Sequence, residues 1–212
     1  MNTTRSGGGA IVDAKHAPAV LIRTLGVFQV IRDGTPVPSA VWQSEKDREL
    51  LKILIARRKP TSREQLIALL WPEVDPAKAS NRLSVLLRTL RNVLQPHASA
   101  GPLAGDAGMV WLNRTHVNVD AEEFLTDATA ALAAHRGGQP DATERLRAAV
   151  AAHTGDFLED DAHQAWATPL AEEVRATHIA LLRALAARLR RTGDINEAIR
   201  YLLRLLQAGL HR

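Results

Sequence analysis

The stretch WPEVDPAKASNRLSVLLRTLRNVLQP, residues 71–96, constrains the fold more than any other part of this chain. Leu83, Leu86, Leu87, Leu90 and Leu94 share one helical face, which predicts a helix from about residue 77 to residue 94, stopped by Pro96. The opposite face carries Asn81, Ser84, Val85, Arg88 and Asn92, with Arg82 and Arg91 on its flanks. A core wall needs only the leucines. Arginine and asparagine can pair bidentately with guanine and adenine edges, so the far face has the chemistry of a duplex reader.

The surroundings decide between the two uses. Residues 20–32, VLIRTLGVFQVIR, are rich in branched apolar side chains with partial alternation, and Asp33-Gly34 is a hairpin turn signal. Strands are predicted at roughly 20–24, 27–32 and 35–38. From Ser44 the period changes: Leu50, Leu51, Leu54 and Ile55 mark a helix over about 44–57, with Ser44 as its N-cap and Lys59-Pro60 as its break. Thr61 or Ser62 caps a second helix of about 62–71, and Ser62 with Gln65 has the spacing of a capping box. Trp71-Pro72 closes it. Beyond the third helix, Pro102-Leu103 and the run from Met109 to Leu112 flank the turn AGDAG as a small hairpin. Strands, three helices and a hairpin, in that order, are the plan of a winged helix-turn-helix domain, whose third helix enters the major groove.

From Asp120 onward the pattern is helical, with helices predicted at about 120–135, 140–153, 164–191 and 194–208. The junction LAARLRRTGDINEAIRYLLRLL reads as a helix hairpin of a repeat of about 34 residues. The expected fold class is therefore mainly α with small β sheets: a winged helix-turn-helix domain followed by an all-α tetratricopeptide-like helical domain. Expected boundaries are a disordered arm over 1–19, a DNA-binding domain over 20–119 and a helical domain over 120–212. The arm has neither the charged start nor the apolar core of a secretory signal.

Charge supports that division. Residues 1–119 hold 16 Lys/Arg against 9 Asp/Glu, while residues 120–212 hold 11 against 14. The basic excess peaks over residues 42–96, at 11 against 6, as expected of a polyanion-binding half joined to a half with another task. There is no cysteine, which excludes disulfides and cysteine-based zinc sites and suits a reducing cytoplasm. No apolar run approaches the length of a membrane span. A glycine-rich phosphate loop, a nucleophile elbow and an HExxH motif are all missing, so the chain does not read as an enzyme and implies no cofactor. Asp156, Glu159, Asp160, Asp161 and His163 form an acidic run without the converging geometry a metal needs. Trp42, Trp71, Trp111 and Trp166 stand at element boundaries and read as core anchors.

The segments TLGVFQVIRDGTPVP, VWQSEKDRELLKILIARR, REQLIALLWPEVDPAKASNRLSVLLRTLRNVL, VNVDAEEF and AVAAHTGDFLEDDAHQAW together resemble the Streptomyces antibiotic regulatory protein family, from about residue 20 to the end. The resemblance implies an OmpR-type winged helix followed by a bacterial transcriptional activation domain of tetratricopeptide-like helix pairs. It implies a cytoplasmic activator, typically of antibiotic biosynthesis. Such a protein binds double-stranded promoter DNA as a homodimer on direct repeats and contacts RNA polymerase holoenzyme through its sigma factor. Asn81, Arg82, Ser84, Arg88 and Arg91 are the residues expected to bind promoter DNA, and Lys46, Arg48, Arg63 and Lys78 are candidates for phosphate contacts. Two departures stand out. The wing turn AGDAG carries Asp106 and no cation, the nearest being Arg114 across the second strand. The chain also stops at LLQAGLHR where family members continue, so an incomplete activation domain is expected. The alternative reading is a protein-interaction module that keeps the architecture and has lost specific DNA binding.

Overall fold

The computed structural model describes residues 20–95 and 101–210; the expected arm over 1–19 and the expected stop at Pro96 lie outside the described residues. It is mainly helical, with small sheets in the N-terminal half and a helical C-terminal half. The first sheet contains β1 (Val20–Arg23), β2 (Gln29–Arg32), β3 (Thr35–Pro36) and β7 (Val117–Val119) in the order β3-β2-β1-β7. Asp33 and Gly34 form the expected two-residue turn with φ of 48° and 77°, the paired positive values that match strand twist. The sequence reading has no counterpart for β7, a three-residue strand running parallel to β1. It is too short for a periodicity signal, and its pairing is wholly non-local.

Three helices follow: α1 (Glu45–Arg57), α2 (Arg63–Leu70) and α3 (Pro76–Leu94). Ser44 begins α1 as expected, its backbone N–H donating to Asp47 Oδ2 at 2.7 Å. Ser62 and Gln65 form the capping box of α2, Gln65 N–H donating to Ser62 Oγ at 3.2 Å. The expected stripe holds: Leu83, Leu86, Leu87, Leu90 and Leu94 are all buried against a core shared with Leu50, Leu54, Leu66 and Leu70.

The hairpin is β5 (Leu103–Asp106) and β6 (Met109–Leu112), and β4 (Thr61–Ser62) adds to β6. The turn is shorter than expected. Ala104, Gly105 and Asp106 belong to β5, and only Ala107 and Gly108 turn, with φ of 47° and 79°.

The C-terminal half packs α4 (Asp120–Arg136) against α5 (Ala142–Ala152), and α6 (Thr168–Thr192) against α7 (Ile195–Leu210). Residues 164–167 form a turn rather than the first part of α6 as expected, and Pro169 sits in the first turn of that helix. Trp166 is buried; Trp42 and Trp71 are half-buried against the core, and Trp111 is half-buried on β6. Within the half, the rings of His153 and His178 stack at 3.8 Å with an interplanar angle of 14°, and Phe124 meets His153 edge-on at 5.4 Å. Toward α6, the last helix turns Ala198, Tyr201, Leu205 and Ala208. Its opposite side exposes Ile195, Ile199, Leu202, Leu203 and Leu206.

The run TGDFLED joins the two halves as well as connecting two helices. Leu158 N–H donates to Thr24 O at 2.8 Å, Gly26 N–H to Asp156 O at 2.9 Å, and Thr154 Oγ1 to Leu25 O at 2.9 Å. Phe157 and Leu158 are buried, and Phe157 bridges Leu25 of the N-terminal half. The Asp120 carboxylate closes the same seam, accepting from Thr24 N–H at 2.7 Å, Thr24 Oγ1 at 2.6 Å and Leu25 N–H at 3.2 Å. Lys52 pairs with Asp161 at 2.5 Å, and Arg58 with Glu173.

At Gly155 a Cβ would lie 2.8 Å from Gly26 Cα and 3.0 Å from Gly26 N, so close approach requires glycine there. Gly155→Ala is expected to lower stability by about 1–3 kcal/mol in denaturant unfolding, the usual cost of overpacking. Burial, the neighbouring His153 and Arg204 push His178 from 6.5 down to about 4, and burial also depresses His153 and His135. Below pH 6.5 the unfolded chain takes up the His178 proton that the folded chain refuses. Stability is thus full above that pH and falls toward pH 4, by about 3 kcal/mol for His178 alone. Unfolding midpoints measured across this range should flatten in His178→Leu.

Candidate nucleic-acid interface

The recognition candidate, α3, is fixed at both ends. Asp75 Oδ1 accepts from Lys78 N–H at 3.2 Å, placing a carboxylate at the helix start, where the dipole favours it. At the far end Arg32 Nη1 donates to Val93 O at 2.9 Å, placing a cation where carbonyls lack helical partners. Midway, the buried Thr89 hydroxyl donates to Gln43 Oε1 at 3.3 Å. With its leucines buried, the helix can turn only one face outward.

That face holds Lys78, Asn81, Arg82, Ser84, Val85, Arg88, Arg91 and Asn92, all exposed. The helical period puts Arg88 near its centre, with Asn81, Ser84, Val85 and Asn92 around it and Arg82 and Arg91 at opposite flanks. Among the described residues no carboxylate pairs with Arg82, Arg88 or Arg91. Arg63, at the start of α2, reaches the same face: its Nη2 donates to Ser84 Oγ at 2.7 Å and to Ser80 O at 3.4 Å. Ser84 Oγ in turn donates to Ser80 O at 3.1 Å, so this hydroxyl helps to place Arg63.

Two expected phosphate contacts do not join this group. Lys46 Nζ donates to Leu70 O at 3.0 Å and pairs with Glu49 at 2.6 Å, holding the end of α2. Arg48 pairs with Glu45 at 3.6 Å and its guanidinium lies 5.8 Å from the Trp42 ring centre. Sequence reading places Val85 and Asn92 on the face without naming them as contacts; their helical register is the signal. Val85 is 58% exposed and offers an apolar surface suited to a thymine methyl.

The wing is tied to α2, Arg63 N–H donating to Gly108 O at 3.1 Å. Its tip carries the exposed Asp106. Arg114, the nearest cation in sequence, pairs with Glu122 of α4 at 2.5 Å. Burial raises the Glu122 carboxyl and lowers the Arg114 guanidinium, each opposed by its partner, so the pair belongs to the seam between the halves.

With this geometry in place, comparison with known proteins gives a coarse class. Residues 119–210 match the family model described as "Bacterial transcriptional activator domain", which spans α4 to α7. Among solved structures the chain is similar to Mycobacterium tuberculosis EmbR in complex with a low-affinity phosphopeptide. The TM-score is 0.64 at 27% identity, covering 82% of this chain and 48% of that one. The chain therefore spans about half the length of that protein. No curated protein matches. The likeness is to transcriptional regulators, and no described helix is long and apolar enough to cross a membrane.

Lys46→Ala should cost about 1 kcal/mol of stability through the lost bond to Leu70 O, with DNA affinity little changed. Parallel unfolding and binding measurements separate the two effects.

Proposed function

We propose that the chain is a sequence-specific DNA-binding transcriptional activator. The observation that carries this reading is the α3 face, where Arg88 stands amid Asn81, Ser84 and Asn92 and the flanking arginines lack carboxylate partners. In this reading residues 20–119 form an OmpR-type winged helix-turn-helix domain and residues 120–212 an activation domain. Arg88 and Asn81 read base edges from the major groove, while Arg63, Lys78, Arg82 and Arg91 hold phosphates on either side. Lys46 and Arg48 support α1 and α2 first and touch the backbone at most secondarily. Two protomers bind direct repeats, and the helical half contacts RNA polymerase and its sigma factor. The apolar stripe of Ile195, Ile199, Leu202, Leu203 and Leu206 supports a protein-contact role for that half. Control of antibiotic biosynthesis is the target class that the family resemblance suggests.

A second reading rests on the wing. With Asp106 at its tip and Arg114 committed to Glu122, the hairpin would repel phosphate, which favours a protein-interaction module without DNA binding.

Salt dependence separates the two. About four phosphate contacts predict a slope near −4 in log K against log salt, and Arg82→Ala should reduce it by about one. Arg88→Ala should cost about 1–3 kcal/mol on a repeat-containing promoter and relax base preference at one position. Absence of binding at low salt would establish the interaction module, and unchanged affinity in Arg88→Ala would remove that residue from the reader's role.

A further inference from the structure

The C-terminal half forms a half-open cavity of about 190 Å³ where the loop after α5, α6 and α7 meet, with Asp156, Arg204 and Gln207 exposed at its mouth. It is lined by His153, Asp156, Arg175, His178, Arg204 and Gln207. We propose that this cavity binds a compact oxyanion, the phosphoryl or carboxylate head of a small solute, and that the site is independent of the DNA-reading face.

Charge is the first ground. Arg175 of α6 and Arg204 of α7 both line the cavity, and neither forms an ion pair among the described residues. Arg204 has only the Tyr201 ring, 5.7 Å from its guanidinium. Asp156 is the single carboxylate in the lining, so two guanidiniums face one opposing charge. Guanidinium is the group best shaped for bidentate pairing with phosphate or carboxylate.

Unmet hydrogen bonding is the second. His178 Nδ1 and His153 Nε2 are buried and have no partner in the structure. Two imidazoles stacked at 3.8 Å beside two cations are held neutral by burial and by one another. An oxyanion in the cavity supplies acceptors for their ring N–H groups and offsets Arg204, which with burial opposes their protonation. Charged groups facing the pair are Asp156 from the loop, Arg175 from α6 and Arg204 from α7. The ligand is small, because drug-sized molecules occupy about 300–1,000 Å³.

Position gives the site a consequence. Asp156 contributes its carbonyl to Gly26 of the N-terminal half, and Arg204 and Gln207 belong to the helix whose outer face is unpaired. Occupancy therefore draws the seam loop and α7 together.

The test is a titration of the full chain with sodium sulfate, inorganic phosphate and succinate at constant ionic strength, followed by histidine ring resonances. The expected result is a saturable shift confined to His153 and His178, with His116, His135 and His163 unmoved. Sulfate keeps its charge through the imidazole range, so its affinity should rise as pH falls, the filled site accepting a proton that the empty one refuses. Arg175→Gln and Arg204→Gln should each weaken binding about tenfold, while Arg183→Gln, an exposed arginine of α6 outside the cavity, should leave it unchanged. Unfolding curves confirm that each variant is folded. Tighter phosphate than succinate assigns a phosphoryl head, and the reverse order a carboxylate. A response linear in salt and shared by all histidines, or one that survives in the folded Arg175→Gln Arg204→Gln double variant, overturns the proposal.

Discussion

The carboxylate of Asp120 is where the two halves become one body. It lies at the first residue of α4, where helix backbone N–H groups favour a negative charge, and it answers three donors from Thr24 and Leu25. Those donors sit just past the end of β1, where the chain leaves the sheet and its backbone groups lose ladder partners. The loop carrying Gly155, Asp156, Phe157 and Leu158 fills the other side of the same turn. Orientation of α4 relative to the first sheet is thus set by directional bonds in a partly buried site, where geometry counts for more than apolar area. A helical half attached this way moves with the N-terminal half rather than swinging on a linker.

That rigidity matters to α3. The helix is gripped at its start by Asp75, in its middle by Gln43 and at its end by Arg32, while its leucines lock its rotation. A reader must be held to a fraction of the hydrogen-bond length, and rigid elements do this better than loops. Around it the cations divide into two populations. Lys46, Arg48, Arg58 and Arg114 are engaged by carboxylates, whereas Arg82, Arg88 and Arg91 face solvent. Arg23 and Lys59 are also exposed without an ion pair elsewhere, but the largest group of such cations in the N-terminal half, Lys78 included, stands on the outer face of α3.

Local signals account for what the sequence made legible. The Leu83-to-Leu94 stripe, the Ser44 and Ser62 caps and the Asp33-Gly34 turn each depend on residues a few positions apart, and all appear where expected. The exposed α3 face follows from the same period. What escaped depends on pairing across the chain: β7 with β1, Asp120 with Thr24, and Phe157 with Leu25 are separated by about a hundred residues or more. The partners of two cations escaped for a related reason. Lys46 and Arg48 look like free cations in a basic stretch, yet Glu49, Glu45 and the Leu70 carbonyl, which one helical turn and the α2 end bring to them, take up those charges.

The last helix has the least settled environment of the described elements. Of its residues only Ala198 is fully buried, while five large aliphatic side chains line its outer face. Single exposed leucines are ordinary, but five in helical register make a continuous apolar surface of the kind that meets another protein. Its inner attachment leans on Arg147 pairing with Glu197 and on half-buried Tyr201, Leu205 and Ala208. The helix packs closely along α6 on its inner side, so its exposure is one-sided rather than general. Its outer stripe and the proposed oxyanion site share this one helix, so a protein bound to one and a solute bound to the other would be coupled through α7.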